Sequence, residues 1–396
     1  MSEADAIIAV PPKCYRFSER EEGRDAAELE RILRAQDATE PVEINKPKDA
    51  MLDSTGRVQR RFRFTTTGLS QLCSALAPGL AQLASNVAGL RRKDTETDEW
   101  KVYDPALAIH QINDLIRLRF KERLEGHGLI MDRRSLSVEG VVGPRYKFLS
   151  NLELFEQARE FAREQESMPR FFEATLEGRR VVIRYRDAER LFSLPAAQQK
   201  REPFYRGWHF SNSEIGDCSI RTGMLIVRQW RRTSSLLDIG RLVHLKGGEF
   251  GPKIGELFQK LRVQANAEAQ ENDYESLAAD MQAESLQLGG DPVAHVRRAQ
   301  SLVGRLSRGR LSKIAAKRAV NHALANGSYR GDRVEGGRVP TYDAPDEDLL
   351  GVFRQRNVYD LYNALTTIAR ESPPEQQEVA EEQAYRILVQ RFRLHN

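Results

Sequence analysis

His209, Ser213, Glu214, Asp217 and Cys218 crowd one short stretch, WHFSNSEIGDC. A serine or cysteine nucleophile needs a base within hydrogen-bond reach, and His209 is the nearest one in the chain. The same stretch also suits a plain turn. Asn212 and Gly216-Asp217 carry turn chemistry, and the flanking runs EPFYRGWHF and CSIRTGMLIVRQW read as strands. If residues 209 and 218 sit on opposite arms of a hairpin, spacing alone does not bring base to thiol. An active-site loop and a structural turn both stay open, and the strand pattern favours the turn.

The remaining candidates for site chemistry are sparse. His110, His127, His209, His244, His295, His322 and His395 are scattered, with no metalloprotease spacing. Cys14, Cys73 and Cys218 form no C-x-x-C pair, so a reduced protein without a zinc ribbon or disulfide framework is expected. Lys246-Gly247-Gly248 lacks the order of a phosphate loop. No metal and no cofactor is expected.

Arginine and lysine carry a stronger pattern. Between Arg297 and Arg333 lie ten basic residues, among them Arg305, Arg308, Arg310, Lys313, Lys317 and Arg318, and the one acid in that span is Asp332. Like charges this dense repel unless a polyanion neutralises them. A second set sits on strand-like runs: Arg60, Arg61 and Arg63, then Arg180, Arg184 and Arg186, then Arg221, Arg228, Arg231 and Arg232. Phe62, Phe64, Tyr185, Tyr205, Trp208 and Trp230 interleave with it. A groove that tracks phosphates and stacks bases needs this mixture. The plainer account makes the aromatics core, the arginines rim, and the basic segments partners of acids at 265–285 and 343–348.

These side chains need elements to hold them. RVQRRFRFT alternates: Val58, Phe62 and Phe64 take one parity, and Arg57, Arg61 and Arg63 the other, which is a strand with a basic face. Leu69, Leu72, Leu76 and Leu80 then predict a helix, with Thr66 or Thr67 to cap it and Pro78 to break it. PALAIHQINDLIRLRFKERL predicts a second helix opening at Pro105. LIMDRRSLSVEGVVGPRYKFLS reads as short strands turning at Glu139-Gly140 and Gly143-Pro144. NLELFEQAREFARE follows as a helix with Asn151 as its cap. In GRRVVIRYR, Val181, Ile183 and Tyr185 oppose Arg180, Arg184 and Arg186.

From Gly251 the periodicity is helical, with Ile254, Leu257, Phe258 and Leu261 on one face, and EEQAYRILVQRFRLHN reads as a last helix. The fold class is therefore α+β: an antiparallel sheet backed by helices, with a helical C-terminal portion and a loosely ordered N-terminal arm. Three regions are expected. Residues 1–55 are a flexible arm holding one short helix on Leu29, Ile32 and Leu33, residues 56–250 the α+β core, and residues 251–396 a mainly helical portion whose 352–370 segment packs back on the core.

The 396 residues exceed one ordinary core; 40% are hydrophobic and 30% charged, and the net charge is +4. That balance makes no global case for nucleic acid, so clustering has to carry it. AIIAVPP, after Glu3 and Asp5, is too short and too acidic at its flank for a signal peptide, and no run of eighteen apolar residues occurs. A cytoplasmic location with no membrane contact is expected.

Four stretches, in order, resemble the phage/plasmid-like family called domain of unknown function family 932. They are RFRFTTTGLSQLCSALAPGL, VVGPRYKFLSNLELFEQA, FSNSEIGDCSIRTGMLIVRQW and NVYDLYNALTTIAR, spanning roughly residues 60 to 370. Where that family usually places a Cys-x-Asn-Gly segment, this chain has RQWRRTSSL, so the resemblance is to a divergent member. It implies a mobile-element setting in a bacterial host cell and assigns no residue a role.

The expectation is a nucleic-acid-binding protein of phage or plasmid DNA metabolism, in recombination or single-strand annealing, with DNA favoured over RNA and a homo-oligomer compatible with it. Its contacts would be Arg60, Arg61, Arg63, Arg228, Arg231, Arg232, Arg305, Arg308, Arg310, Lys313, Lys317 and Arg318. A protein-interaction or regulatory module is the alternative, and an enzyme using the 209–218 turn is less favoured.

Overall fold

The computed structural model describes residues 9–10, 14–18, 23–36, 41–77, 92–93, 100–101, 105–195, 201–228, 233–244, 250–271, 273–283, 362–363, 365–366, 369–370 and 374–389. In chain order these give β1 (Ala9–Val10), β2 (Cys14–Ser18), α1 (Arg24–Gln36), β3 (Val42–Glu43), β4 (Arg57–Val58), β5 (Phe62–Thr65) and α2 (Thr66–Leu76). The short pair β6 (Arg92–Lys93) and β7 (Trp100–Lys101) precedes α3 (Pro105–Arg119), which runs into a π-helical turn, Phe120–Leu124. Then come β8 (Gly128–Asp132), β9 (Ser137–Val142), α4 (Asn151–Arg163), β10 (Arg170–Glu177), β11 (Arg180–Pro195), β12 (Arg201–Ser213), β13 (Ile220–Arg228) and β14 (Thr233–Leu242). Three helices close the described chain: α5 (Phe250–Glu271), α6 (Tyr274–Ala283) and α7 (Pro374–Val389).

The fold is α+β, built on two larger sheets. The first runs β1-β5-β9-β8-β3, with β4 also on β5, and it is mixed because β1/β5 and β5/β9 are parallel. The second, β14-β13-β12-β11-β10-β2, is antiparallel throughout.

Each sheet has its own core. Against the first, α2 and α3 bury Leu69, Leu72, Leu76, Ile112 and Ile116 on Val58, Phe64 and Val138. Thr65, one residue before the expected caps, accepts the Gly68 N–H at 3.1 Å and opens α2. Against one face of the second sheet, α1, α4 and α5 pack Leu29, Leu33, Phe155, Phe161, Ile254 and Leu261 on Trp208 and Phe210. Phe161 meets Trp208 and Phe210 edge-on, with centroids 5.1 and 5.5 Å apart. Ser150, not Asn151, caps α4.

Within the N-terminal segment, residues 14–18 form β2, the edge strand on β10, and residues 24–36 form α1, whose Leu29 and Leu33 are buried; Ile44 and Ala50 are buried too. Removing two leucines from water contributes about 2 kcal/mol each, enough to dock a helix that would not stand alone. Two readings of the sequence are corrected here. First, no turn forms at Glu139-Gly140: the chain reverses earlier, at Arg133–Leu136, and Glu139 lies inside β9. Second, the arginine-bearing face of the second sheet is no open surface, because α7 lies against it.

Candidate nucleic-acid interface

Two tight turns bring arginines together at one end of the first sheet. Arg61 N–H donates to Val58 O at 3.2 Å, closing a turn in which Gln59 (φ 50°) and Arg60 (φ 60°) are both left-handed. This is the geometry that favours Asn-Gly, and a side chain at each position costs about 1 kcal/mol or more. The second turn joins β8 to β9. Asp132 Oδ1 accepts the Arg134 and Ser135 N–H groups at 2.8 and 3.4 Å, and Leu136 takes φ 52°. Burial works to raise the Asp132 pKa, but the Ser135 hydroxyl, these two backbone N–H groups and the Arg179 charge outweigh it and hold the carboxyl below its ordinary range.

The turns abut because β5 and β9 are parallel. Arg63 stands opposite Ser137, and the Arg63 N–H donates to Leu136 O at 2.9 Å. On the other side Arg63 stands opposite Arg57. Arg57, Arg63 and Ser137 thus form one row across β4, β5 and β9 on the face away from Phe64, while Arg60, Arg61, Arg133 and Arg134 are exposed on the turns. Like charges directly opposed across strands destabilise a sheet. Among the described residues no carboxylate forms an ion pair with these six arginines; Asp53, whose Oδ1 accepts the Arg57 backbone N–H at 3.0 Å, is the acid beside Arg57. The Nε atoms of Arg57 and Arg63 are enclosed without a hydrogen-bond partner. The arrangement can hold phosphate groups in sequence along an edge.

The other strand arginines do different work. Arg184 pairs with Glu381 at 2.6 Å and Glu173 at 2.7 Å. Arg180 and Arg221 reach Glu378 at 3.4 and 2.5 Å, and Arg221 also pairs with Glu382 and with Asp238 at 3.0 Å. Glu378, Glu381 and Glu382 are buried along α7. Period-two arginines here make an internal ionic layer between sheet and helix. Arg228, expected to contact nucleic acid, is corrected: it is fully buried, paired with Glu202 at 2.6 Å and hydrogen-bonded to Asn363. Arg231, Arg232, Arg305, Arg308, Arg310, Lys313, Lys317 and Arg318 lie outside the described residues, as does Trp230. Phe64, Tyr185 and Trp208 are core, so they offer no face to a base. Tyr205 is half-buried under the Arg186 guanidinium, 4.7 Å from its ring centre.

The 212–218 turn is a joint between the two sheets. Glu214 accepts the Asn151 N–H at 2.7 Å and Arg179 Nη1 at 3.0 Å, and Asn212 Nδ2 donates to Leu149 O and Asn151 Oδ1 at 3.0 and 2.9 Å. Tyr146 O–H donates to Ser213 O at 3.0 Å, and Gln71 of α2 ties Ile215 O to the Val141 N–H. Gly140 must be glycine, since a Cβ there would lie 2.5 Å from the Ile215 side chain. His209 is fully buried and faces Glu378, 3.3 Å away, on the sheet face that α7 covers. Burial lowers its pKa more than Glu378 raises it, so the ring is neutral near pH 7. It serves the ionic layer.

Arg133 and Arg134 belong to this cluster and were not among the residues singled out from the sequence. An Arg-Arg pair beside Asp132, between two apolar runs, was the signal available for a basic turn. Among the described residues, no cluster of three or more His, Cys, Asp or Glu side chains is placed to hold a metal, and no helix is long and apolar enough to cross a membrane. No family model, curated protein or solved structure matches the chain.

Proposed function

We propose that the protein binds nucleic acid along the basic edge of its first sheet, in the phage or plasmid DNA metabolism that its family resemblance implies. The observation that carries this reading is the convergence of Arg60 and Arg61 with Arg133 and Arg134 on two abutting turns, exposed and without ion-paired acids among the described residues. A surface like this is costly to hold together alone and is relieved by a polyanion. Single-stranded DNA is favoured, because among the described residues the edge offers phosphate contacts and no helix poised to enter a groove. Recombination and strand annealing are the roles that such binding serves in that setting.

The test is binding of full-length protein to fluorescent single-stranded and duplex oligonucleotides across a salt series. Salt-sensitive binding that the combined Arg60→Glu, Arg61→Glu, Arg133→Glu and Arg134→Glu substitutions abolish is the expected result. Affinity unchanged by those four reversals would remove this edge from the interface. No binding at low salt would remove the function.

A further inference from the structure

One row of residues crosses the whole second sheet. Arg16 of β2 stands opposite Thr175, Thr175 opposite Val182, Val182 opposite Ser211, Ser211 opposite Arg221, and Arg221 opposite Arg241 of β14. Opposed residues share a face, so the row lies on the side that carries Arg180 and Arg184, each two residues from Val182. Five strand spacings of about 4.8 Å make it roughly 24 Å long. Arg16 and Arg241 are exposed at its two ends, and Arg180, Arg184 and Arg221 are buried between them.

What buries the middle is acidic. Glu378, Glu381 and Glu382 stand at i, i+3 and i+4 on α7 and meet Arg180, Arg184, Arg221 and Arg241. That spacing sets side chains about 5–6 Å apart, close to the spacing of successive phosphates along an extended single strand. The helix is held unevenly. Ala384, Tyr385 and Leu388, in its second half, join the main core of the second sheet, whereas Val379 and Ala380, in its first half, form a small cluster with Ala369. Ion pairs are thus the main hold on the first half, and buried ion pairs contribute little net stability. The fit is also incomplete. Arg184 Nε, Arg221 Nε, His209 Nδ1 and Ser211 Oγ are enclosed on this face without a hydrogen-bond partner. Enclosed polar atoms left unpaired are a cost, and an occupant richer in acceptor oxygens would reduce it.

We propose that this band is a second binding surface for a single DNA strand, and that the first half of α7, Pro374–Glu382, is the resident stand-in that the strand displaces. The proposal rests on the nucleic-acid reading above. A strand meets Arg16 and Arg241 first, because they are the exposed ends of the row. Its phosphates then replace the carboxylates of Glu378, Glu381 and Glu382 on Arg180, Arg184 and Arg221. Tyr385 and Leu388 keep the helix tethered to the core, so the displacement reverses when the strand leaves. DNA binding and α7 docking compete, and each weakens the other by the same factor. Because of that competition the first-sheet edge remains the primary contact.

The experiment measures hydrogen exchange and binding of the full chain with fluorescent oligothymidylate at low salt. Amides of Pro374–Glu382 should exchange faster when the strand is added, while those of Ala384–Leu388 keep their protection. Glu378→Gln with Glu382→Gln weakens the stand-in and should tighten binding about tenfold. Arg16→Ala with Arg241→Ala should reverse that gain. The exchange measurement uses the unaltered chain, so it decides even where a variant fails to fold. A strand that binds with α7 exchange unchanged, or a tightening that survives the loss of Arg16 and Arg241, would overturn the second surface and leave the first-sheet interface standing. Absence of binding by both the unaltered chain and the glutamine variant would overturn the two together.

Discussion

Arg184 and Glu381, 197 positions apart in the chain, meet as a two-pronged pair with both side chains buried, at 2.8 and 2.6 Å. Burial opposes both charges: for Arg184 the attraction of Glu381 and Glu173 outweighs it, whereas for Glu381 burial outweighs Arg184 and the Ser234 O–H and pushes the carboxyl pKa up. Such a pair contributes little beyond what an apolar pair would, yet breaking it is expensive. Glu381→Ala should destabilise the protein by about 3 kcal/mol, the low end for a broken buried pair because Glu173 remains. The double change Arg184→Met with Glu381→Leu should recover most of that loss. Denaturant midpoints of the single and double variants check both statements.

Stability should fall on the acid side of pH 7 in two stages. Burial lowers the pKa of His209, and likewise of His127 and His244. Below about pH 6.5 the unfolded chain then binds protons that the folded chain refuses, so stability drops as pH falls from that point. Burial pushes Glu378 up, but His209, Arg180 and Arg221 outweigh it and hold this carboxyl far below its ordinary range. Its contribution is present above about pH 4.5 and is lost as pH falls further. Thermal melts at pH 7.5, 6.5, 5.5 and 4.5 should show the first loss shrinking in His209→Gln.

The salt dependence of DNA binding should count the arginines at the edge. On a single strand each neutralised phosphate contributes about 0.7 to the slope of log affinity against log salt. Arg60→Ala, Arg61→Ala, Arg133→Ala and Arg134→Ala should each reduce the slope by about that amount if each holds one phosphate. Arg228→Ala should instead lower stability, by leaving Glu202 in the core without this partner. Fluorescence anisotropy titrations and denaturant melts separate the two effects.

The thiols should report the folded state. Cys73 is buried on the inner face of α2, and burial alone pushes its pKa up to about 11. Cys14 is exposed on the edge strand. A maleimide at pH 7 should therefore modify Cys14 readily and Cys73 only as fast as the protein unfolds. Peptide mapping after timed quenching measures both.

The turn between β12 and β13 should tolerate little change at its glycine. Gly216 has φ 68°, and a Cβ there would sit 2.7 Å from the Tyr146 ring. Gly216→Ala should cost about 1–3 kcal/mol through the left-handed backbone and the displaced ring. A lowered melting temperature with an unchanged far-ultraviolet spectrum is the expected signature.

The sequence by itself determined the elements and their faces. Alternation in RVQRRFRFT and GRRVVIRYR placed Phe64 and Tyr185 opposite their arginines, and helical spacing placed Leu69, Leu72, Ile254 and Leu261 on buried stripes. It also marked the 212–218 stretch as a turn between paired strands. Period alone says which side chains share a face and is silent about what covers that face. Whether an arginine meets water or a carboxylate depended on where α7 docks, far along the chain. Tertiary structure therefore sent Arg63 to a row without ion-paired acids among the described residues and Arg184 into an ionic layer, although both stand in the same local pattern. The bulge at Glu139 was equally hidden, because one extra residue in a ladder is defined by the partner strand and not by the strand that carries it.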